Sequence, residues 1–387
     1  MKVGTRNMNE SFQPLFTPFT LPCGVELKNR IIMAPMTTYS ANADDTVSEE
    51  ELAYYTRRAN DVSMVVTACT YVQANGKGFD GQFAGDRDEM IPSMKRLAST
   101  IKNHGAKAIL QLYHGGRHAK PSLVQNGEIV APSSVVSEND KGAYMVKKAP
   151  RSMTDTEILQ LIEAFGQTTR RAIEAGFDGV ELHGANGFIL QQFFSPFSNQ
   201  RTDRWGGSLK NRLAFPLAII EEVQKVVKHY AKEPFIIGYR LSPEEPETTG
   251  ITMKDTFNLV DAIADKGLDY IHISMLDFWS EARRGVDAVR PRIELIQEKV
   301  GERIPIIGVG SIRSANDAIR AIQSTDIPLL ALGRELIMEP DWVGKIVRGQ
   351  EEQIHTSLSR KDQQKLCIPD PLWKQIIETK GWFPLVD

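Results

Sequence analysis

Eight short apolar runs, each separated from the next by a longer amphipathic stretch, restrict this chain more than any other feature it has. They are RIIMA near 30, MVVTAC near 64, AILQLY near 108, GVELHG near 179, FIIGYR near 235, YIHIS near 270, IPIIGVG near 304 and PLLALG near 328. Near-continuous runs rich in Ile and Val are what strands covered on both faces look like, because a strand with one wet face alternates instead. Helix start signals lie between the runs. Ser48 with Glu51 and Thr154 with Glu157 have the spacing of a capping box, and Asp317 and Arg320 sit in an amphipathic stretch after the seventh run. Strand then helix, eight times without a reversal signal, predicts an α/β fold closed into a (β/α)8 TIM barrel, in preference to an open doubly wound sheet. The 387 residues suit a single domain over 1–387, since barrels of this class typically hold about 250 residues and accept long insertions.

Two regions break the rhythm. FTLPCGVELKN, 19–29, alternates around a Pro-Cys-Gly turn and reads as a hairpin capping the bottom of the barrel. Residues 115–153 form a polar, Gly- and Pro-bearing excursion after the third run, of a length expected of a lid or binding loop. The C-terminal extension 350–387 is unlike a barrel element and is free to pack across a neighbour, which makes a homo-oligomer a hypothesis.

Composition excludes several classes of partner. Lys plus Arg is 46 against 49 for Asp plus Glu, so there is no positive field to recruit nucleic acid or an anionic membrane. Cys23, Cys69 and Cys367 lie far apart without C-x-x-C spacing, so they can build neither a zinc knuckle nor an iron–sulfur cluster, and a reducing cytoplasm is the expected location. The first residues lack the apolar core of a signal peptide, and no run approaches ~20 apolar residues. His114 and His118 are four apart, but GGR between them argues a loop, and no metal is expected. GKGFDG, 76–81, matches a dinucleotide fingerprint formally but leads into no apolar helix.

In a barrel of this kind, reactive groups sit at the C-terminal ends of the strands and phosphate binds at the loops after strands seven and eight. Those loops read GVGSIRS, with Gly308 and Gly310, and LGRELI, with Gly333 and Arg334. Glycine lets the backbone approach a phosphate, and an arginine can clamp it with two parallel N–H groups. The other strand ends carry Pro35, Met36, Thr37 and Tyr39; Cys69; Gln111 and His114; His183 and Asn186; and Arg240. A buried Gln or Arg without a partner is costly, so polar residues in apolar strands need a reason. One per strand, all at the same end, they look like the lining of a site. The loop after Ser274 can face that site or turn from it, and Trp279, Trp373 and Trp382 can wall it or simply pack. NQRTDRWGG, 199–207, reads as Arg and Asp pairs pinning a wide loop.

LFTPFTLPCGVELKNRIIMAPM, LQLYHGGR, GVELHGANGF followed by SPFSNQRTDRWGGSLKNR, and the two phosphate turns occur in order over roughly residues 15–345. In these motifs the chain resembles the Old Yellow Enzyme family of FMN-dependent ene-reductases and NAD(P)H–flavin oxidoreductases. The resemblance implies bound FMN with NAD(P)H as the donor. It places Thr37 at the flavin O4 and N5 edge after Pro35 and Met36, Cys69 nearby, Gln111 on the pyrimidine edge and Arg240 near N1 and the C2 carbonyl. It assigns the phosphate to Gly310, Gly333 and Arg334, and it makes His183 and Asn186 the pair that holds a substrate oxygen while the β-carbon of an activated alkene or a quinone takes hydride. One departure stands out. Many ene-reductases carry a tyrosine proton donor two residues after the asparagine, whereas this chain has Phe188, which cannot donate. Tyr39 is the nearest replacement by sequence. Thr37 stands where one subgroup has cysteine, and the cysteine-rich insert and second flavin domain of dienoyl-CoA reductase relatives are not seen, so electrons are expected to come from NAD(P)H directly at the FMN. Two alternatives stay open: a flavin-binding barrel whose ene-reduction has lapsed, and a non-redox phosphate-binding barrel enzyme, although no Schiff-base lysine or carboxylate base occurs among the strand ends.

Overall fold

Each apolar run forms a strand in the computed structural model, which describes residues 7–136, 149–287 and 289–386. The strands β1 (Ile31–Met33), β2 (Met64–Val66), β3 (Lys107–Tyr113), β4 (Gly179–Gly184), β5 (Ile236–Leu241), β6 (Tyr270–Ile273), β7 (Ile306–Val309) and β8 (Leu329–Leu332) pair in parallel and in chain order. Leu330 of β8 then lies opposite Ile31 of β1, which closes the barrel. Helices follow every strand: α1 (Glu49–Arg58), α2 (Ile91–Asn103), α3 (Asp155–Glu174), α4 (Ile189–Phe194) with α5 (Leu209–Tyr230), α6 (Met253–Ala264), α7 (Arg292–Val300), α8 (Ala315–Thr325), and α9 (Arg334–Met338) with α10 (Trp342–Val347).

Local chemistry starts these helices where the sequence signals them. Ser48 and Glu51 at α1, and Thr154 and Glu157 at α3, exchange the reciprocal bonds of a capping box. Thr252 with Asp255 and Ser314 with Asp317 do the same at α6 and α8. Each cap satisfies backbone N–H groups that the first turn leaves unpaired, a contribution of about 1 kcal/mol.

Alternation along the strands sorts side chains into two cores. Outward residues such as Leu110, Val180, Ile271 and Leu330 pack under the helices. Inward residues Ile32, Met64, Ile109, Ile236, Ile307 and Leu329 fill the barrel together with Leu21 and Leu27 of the expected hairpin. That hairpin pairs Phe19–Thr20 antiparallel to Glu26–Leu27, and the Cys23 N–H donates to Asp269 Oδ1 at 2.8 Å, at the foot of β6. It closes the end of the barrel where the strands begin.

The excursion after β3 is pinned at its stem. Val130–Ala131 pairs with Arg151–Ser152, and the Arg201 guanidinium donates to the carbonyls of Pro132 and Met153. Arg201 also pairs with Asp203, while Asp155 accepts from Arg204 and Trp205, so the block 199–207 is the anchor its charges suggested. Residues 137–148 of the proposed lid lie outside the described residues.

The C-terminal extension packs on its own barrel. Its helix α11 (Asp370–Glu378) buries Leu372 and Ile376, Leu358–Ser359 pairs with Leu385–Val386, and the carbonyl of Leu366 accepts from the buried Arg58 guanidinium at 2.7 Å. No helix among the described residues is long and apolar enough to cross a membrane.

Because Leu27 is fully buried beneath the inward residues, Leu27→Ala is expected to cost about 2–5 kcal/mol of stability in urea unfolding. A loss under about 1 kcal/mol would show that the hairpin only covers the barrel without holding it.

Candidate functional site

The strands deliver their C-terminal ends to a cavity of about 710 Å³, a volume suited to a cofactor-sized ligand. Pro35, Met36, Thr37, Tyr39, Asn186, Arg240, Gly310, Gly333 and Arg334, all singled out from sequence, line it. Cys69, Gln111 and His183 are buried at 5%, 1% and 3% exposure and do not belong to the lining itself. Gly308 lies inside β7, where a Cβ would come within 2.5 Å of the Phe278 ring. Packing accounts for that glycine.

One end of the cavity is built for an anion. Gly310 has φ 130°, and a Cβ there would stand 2.6 Å from the Phe278 backbone nitrogen, so no other residue fits. Ser311 follows with φ 53°, and its hydroxyl accepts from Arg334 Nη2 at 3.0 Å. Arg334 is half-buried and also donates to the Trp382 carbonyl at 3.0 Å. Burial, and then the neighbouring guanidinium of Arg313, lower its pKa. Two cations crowded into one lining are stabilised by a bound dianion such as a phosphate, which the glycine turns leave room to approach. Arg313, Leu276 and Trp382 complete this end. Of these three, only the turn that carries Arg313 stands out in the sequence.

The other end carries hydrogen-bond donors. Asn186 adopts φ 57°, a left-handed conformation that few non-glycine residues hold without a local reason. Its side-chain oxygen accepts from the Ser274 hydroxyl at 2.8 Å, which leaves the amide nitrogen as the outward group. The loop after Ser274 therefore does face the cavity, with Met275 and Leu276. The Nδ1 of His183 accepts from the Ala185 N–H at 3.3 Å, so its proton resides on Nε2. Burial, then the charge of Arg240, push this imidazole down to about 3 and keep it neutral. Tyr39, at φ 56°, stands edge-on to Phe79, and burial pushes its hydroxyl up to about 12. Burial likewise raises the Cys69 thiol to about 12, beside Thr37 and Gln82.

Phe188 sits among rings. Its centroid is 4.5 Å from Tyr113 and 4.9 Å from His183, both in edge-on geometry. His114 is a turn-former: Nδ1 accepts from the Gly116 N–H and Nε2 meets Asn75 Oδ1 at 3.1 Å. No group of three metal-ligating side chains occurs among the described residues. Trp279 packs outside the lining under Arg320, whose guanidinium lies 4.8 Å from the ring centroid.

Residues 14–353 match the NADH:flavin oxidoreductase / NADH oxidase family. The chain belongs to this family. As a member of the Old Yellow Enzyme group of flavin oxidoreductases, it is 51% identical to a probable NADH-dependent flavin oxidoreductase of Bacillus subtilis (strain 168), over 98% of this chain and all of that one. It is 41% identical to an NADH:fumarate oxidoreductase of Klebsiella pneumoniae (strain 342) over 94% of this chain, yet it spans only 39% of that protein's length. Among solved structures, morphinone reductase superposes with a TM-score of 0.73 at 26% identity, covering 90% of this chain and 91% of that one. FMN is the cofactor of these flavin oxidoreductases and NAD(P)H the electron donor. The size of the cavity and its cationic, glycine-lined end fit FMN and its phosphate. A barrel without redox chemistry is thereby set aside.

His114 and His183 also bear on stability. Burial holds both near 3 in the folded chain, whereas the unfolded groups titrate at 6.5. Below 6.5 the unfolded state binds the additional protons, so stability falls as pH drops from about 6.5 towards 3. Urea unfolding across that window should show the decline, with a shallower slope in His183→Gln; equal slopes in the two proteins would contradict the buried neutral imidazole.

Proposed function

We propose that this chain is an NAD(P)H-dependent FMN ene-reductase acting on electron-poor alkenes, with quinones as related acceptors, whose oxygen is held by His183 and Asn186. The observation that carries the reading is that both side chains are fixed as donors. His183 is neutral with its proton on Nε2, and Asn186 has its oxygen engaged by Ser274. Two N–H groups three residues apart, at one end of β4, suit an acceptor oxygen and nothing cationic. Bound FMN supplies a two-electron carrier that NAD(P)H loads and the substrate discharges.

The protein's part is to bind, orient and polarise. His183 and Asn186 draw electron density onto the substrate oxygen and leave the β-carbon electron-poor. A neutral imidazole does this without first giving up its proton. Thr37, Cys69, Gln111 and Arg240 are assigned to the flavin ring, and Gly310, Gly333 and Arg334, joined by Arg313, to its phosphate. Tyr39 is assigned to deliver the proton to the α-carbon, since a hydroxyl held near 12 keeps its proton across the working range. The hairpin, the barrel and the extension 350–387 are proposed to act as one FMN-binding unit, because Gln375 and Trp382 line the same cavity as Thr37. The names of two relatives agree with the substrate class: fumarate and acrylate are both electron-poor alkenes, although the chain spans only 39% and 34% of those proteins.

Phe188 favours a second reading, a flavin barrel whose ene-reduction has lapsed. It occupies the place of the expected proton donor, and its ring packs against those of Phe79, Tyr113, His118 and His183.

Anaerobic NADH or NADPH should bleach the flavin absorption, and an added enone should restore it. His183→Ala and Asn186→Ala should each lower kcat/KM for the enone by about 10²-fold while bleaching by the nucleotide persists. Enone turnover at the parent rate in both variants would defeat the assignment. Phe188→Tyr should raise enone turnover if proton delivery limits it, and an unchanged rate would mean that Tyr39 or water already suffices.

A further inference from the structure

Inside the barrel lies a carboxylate that the chemistry above does not use. Glu181, on β4, is fully buried. Gln111 Nε2 donates to its Oε1 at 2.8 Å, while its Oε2 accepts from the Tyr270 hydroxyl at 3.0 Å and faces His272 Nδ1 at 2.9 Å. All three partners are no more than 1% exposed. The arrangement is built rather than incidental. A Cβ at residue 238 would stand 2.1 Å from the Tyr270 ring, so glycine there gives Tyr270 room to cross the barrel and reach Glu181. Burial alone would raise the Glu181 pKa, but His272, Arg240 and Gln111 reverse this and bring it to about 2. Burial lowers the His272 pKa, and the charge of Glu181 opposes that shift. On the strand ladder Arg240 lies between His183 and His272. The Glu181 carboxylate and the Arg240 guanidinium are electrostatically coupled across this layer.

A carboxylate only accepts hydrogen bonds. Gln111 must therefore turn its NH2 towards Glu181 and its carbonyl oxygen away, and a carbonyl oxygen is what a pyrimidine N–H requires. We propose that Glu181 is a positioning residue for the flavin: it fixes the orientation of the Gln111 amide, and its charge offsets Arg240 and so lowers the flavin reduction potential. This rests on the assignment of Gln111 and Arg240 to the pyrimidine end of FMN.

Two variants separate the two roles. Glu181→Gln removes the charge with little change in size. Tyr270 and His272 hold the new carbonyl, so the new NH2 faces Gln111 and forces that amide to flip, setting an N–H donor against the flavin N–H. The dissociation constant for FMN should rise about tenfold, ~1.4 kcal/mol. The two-electron midpoint potential should rise by about 30 mV, a tenfold shift of the redox equilibrium, because one negative charge coupled to Arg240 is removed from beneath the ring. Glu181→Asp keeps the charge but falls short of Gln111, so affinity should drop while the potential stays near the parent value. Dissociation constants are read from flavin fluorescence quenching and potentials from dye-coupled titration.

A folded Glu181→Gln protein with parent affinity and potential overturns the proposal. Should that variant not fold, Glu181→Asp with parent affinity overturns it equally. Gln111→Ala and Arg240→Gln test the underlying assignment separately: if neither changes affinity or potential, that assignment fails, whatever the Glu181 variants do.

Discussion

A closed parallel barrel gives every strand residue one of two directions, outward under a helix or inward to a shared axis, and the rest of this structure depends on that constraint. Inward positions on neighbouring strands share levels. Ile109, Ile236, Ile307 and Leu329 fill the apolar part of the interior with the hairpin leucines, while Gln111, Glu181, His183, Arg240, Tyr270 and His272 take other inward positions of β3 to β6. Burial makes an unpaired polar group costly there, and Glu181 serves as the common acceptor for Gln111, Tyr270 and His272. The same burial that demands partners also keeps His183 neutral, which is the state its assigned role needs.

The cavity above this layer is asymmetric for reasons that lie in the chain's turns. After β7 and β8 the backbone adopts conformations that glycine permits, as at Gly310, and brings Arg313 and Arg334 into one lining. After β4 and β6, Asn186 and Ser274 lock each other's orientation. The far C-terminus contributes to the first of these ends. Arg334 is tied to the Trp382 carbonyl, so residues separated by 48 positions in sequence set the shape of the anion end together.

Much of this was legible in the residues. All eight strands, the hairpin 19–29, the α1 and α3 capping boxes and the anchoring role of 199–207 depend on local periodicity, turn chemistry or short-range charge pairs, and the structure bears each of them out. Nine cavity-lining residues were visible at the strand ends because the fold dictates where such residues gather. Glu181 was overlooked although the reasoning that flagged Gln111 applies to it with more force: a carboxylate in a strand buried on both faces. Arg313 and Trp382 gave less warning. An arginine one turn past a glycine loop, and a tryptophan in a C-terminal tail, are unremarkable until the fold brings them to the same cavity.

Hydrophobic period, glycine placement and ordered motifs are properties of the chain read in one dimension, and they specify the barrel, the strand ends that line its cavity and the family. Which side chains share a level inside the barrel, which tautomer His183 carries and how the extension 350–387 packs on the barrel emerge with folding. Those outcomes follow from register between strands and from burial, and neither exists until segments remote in sequence are packed together.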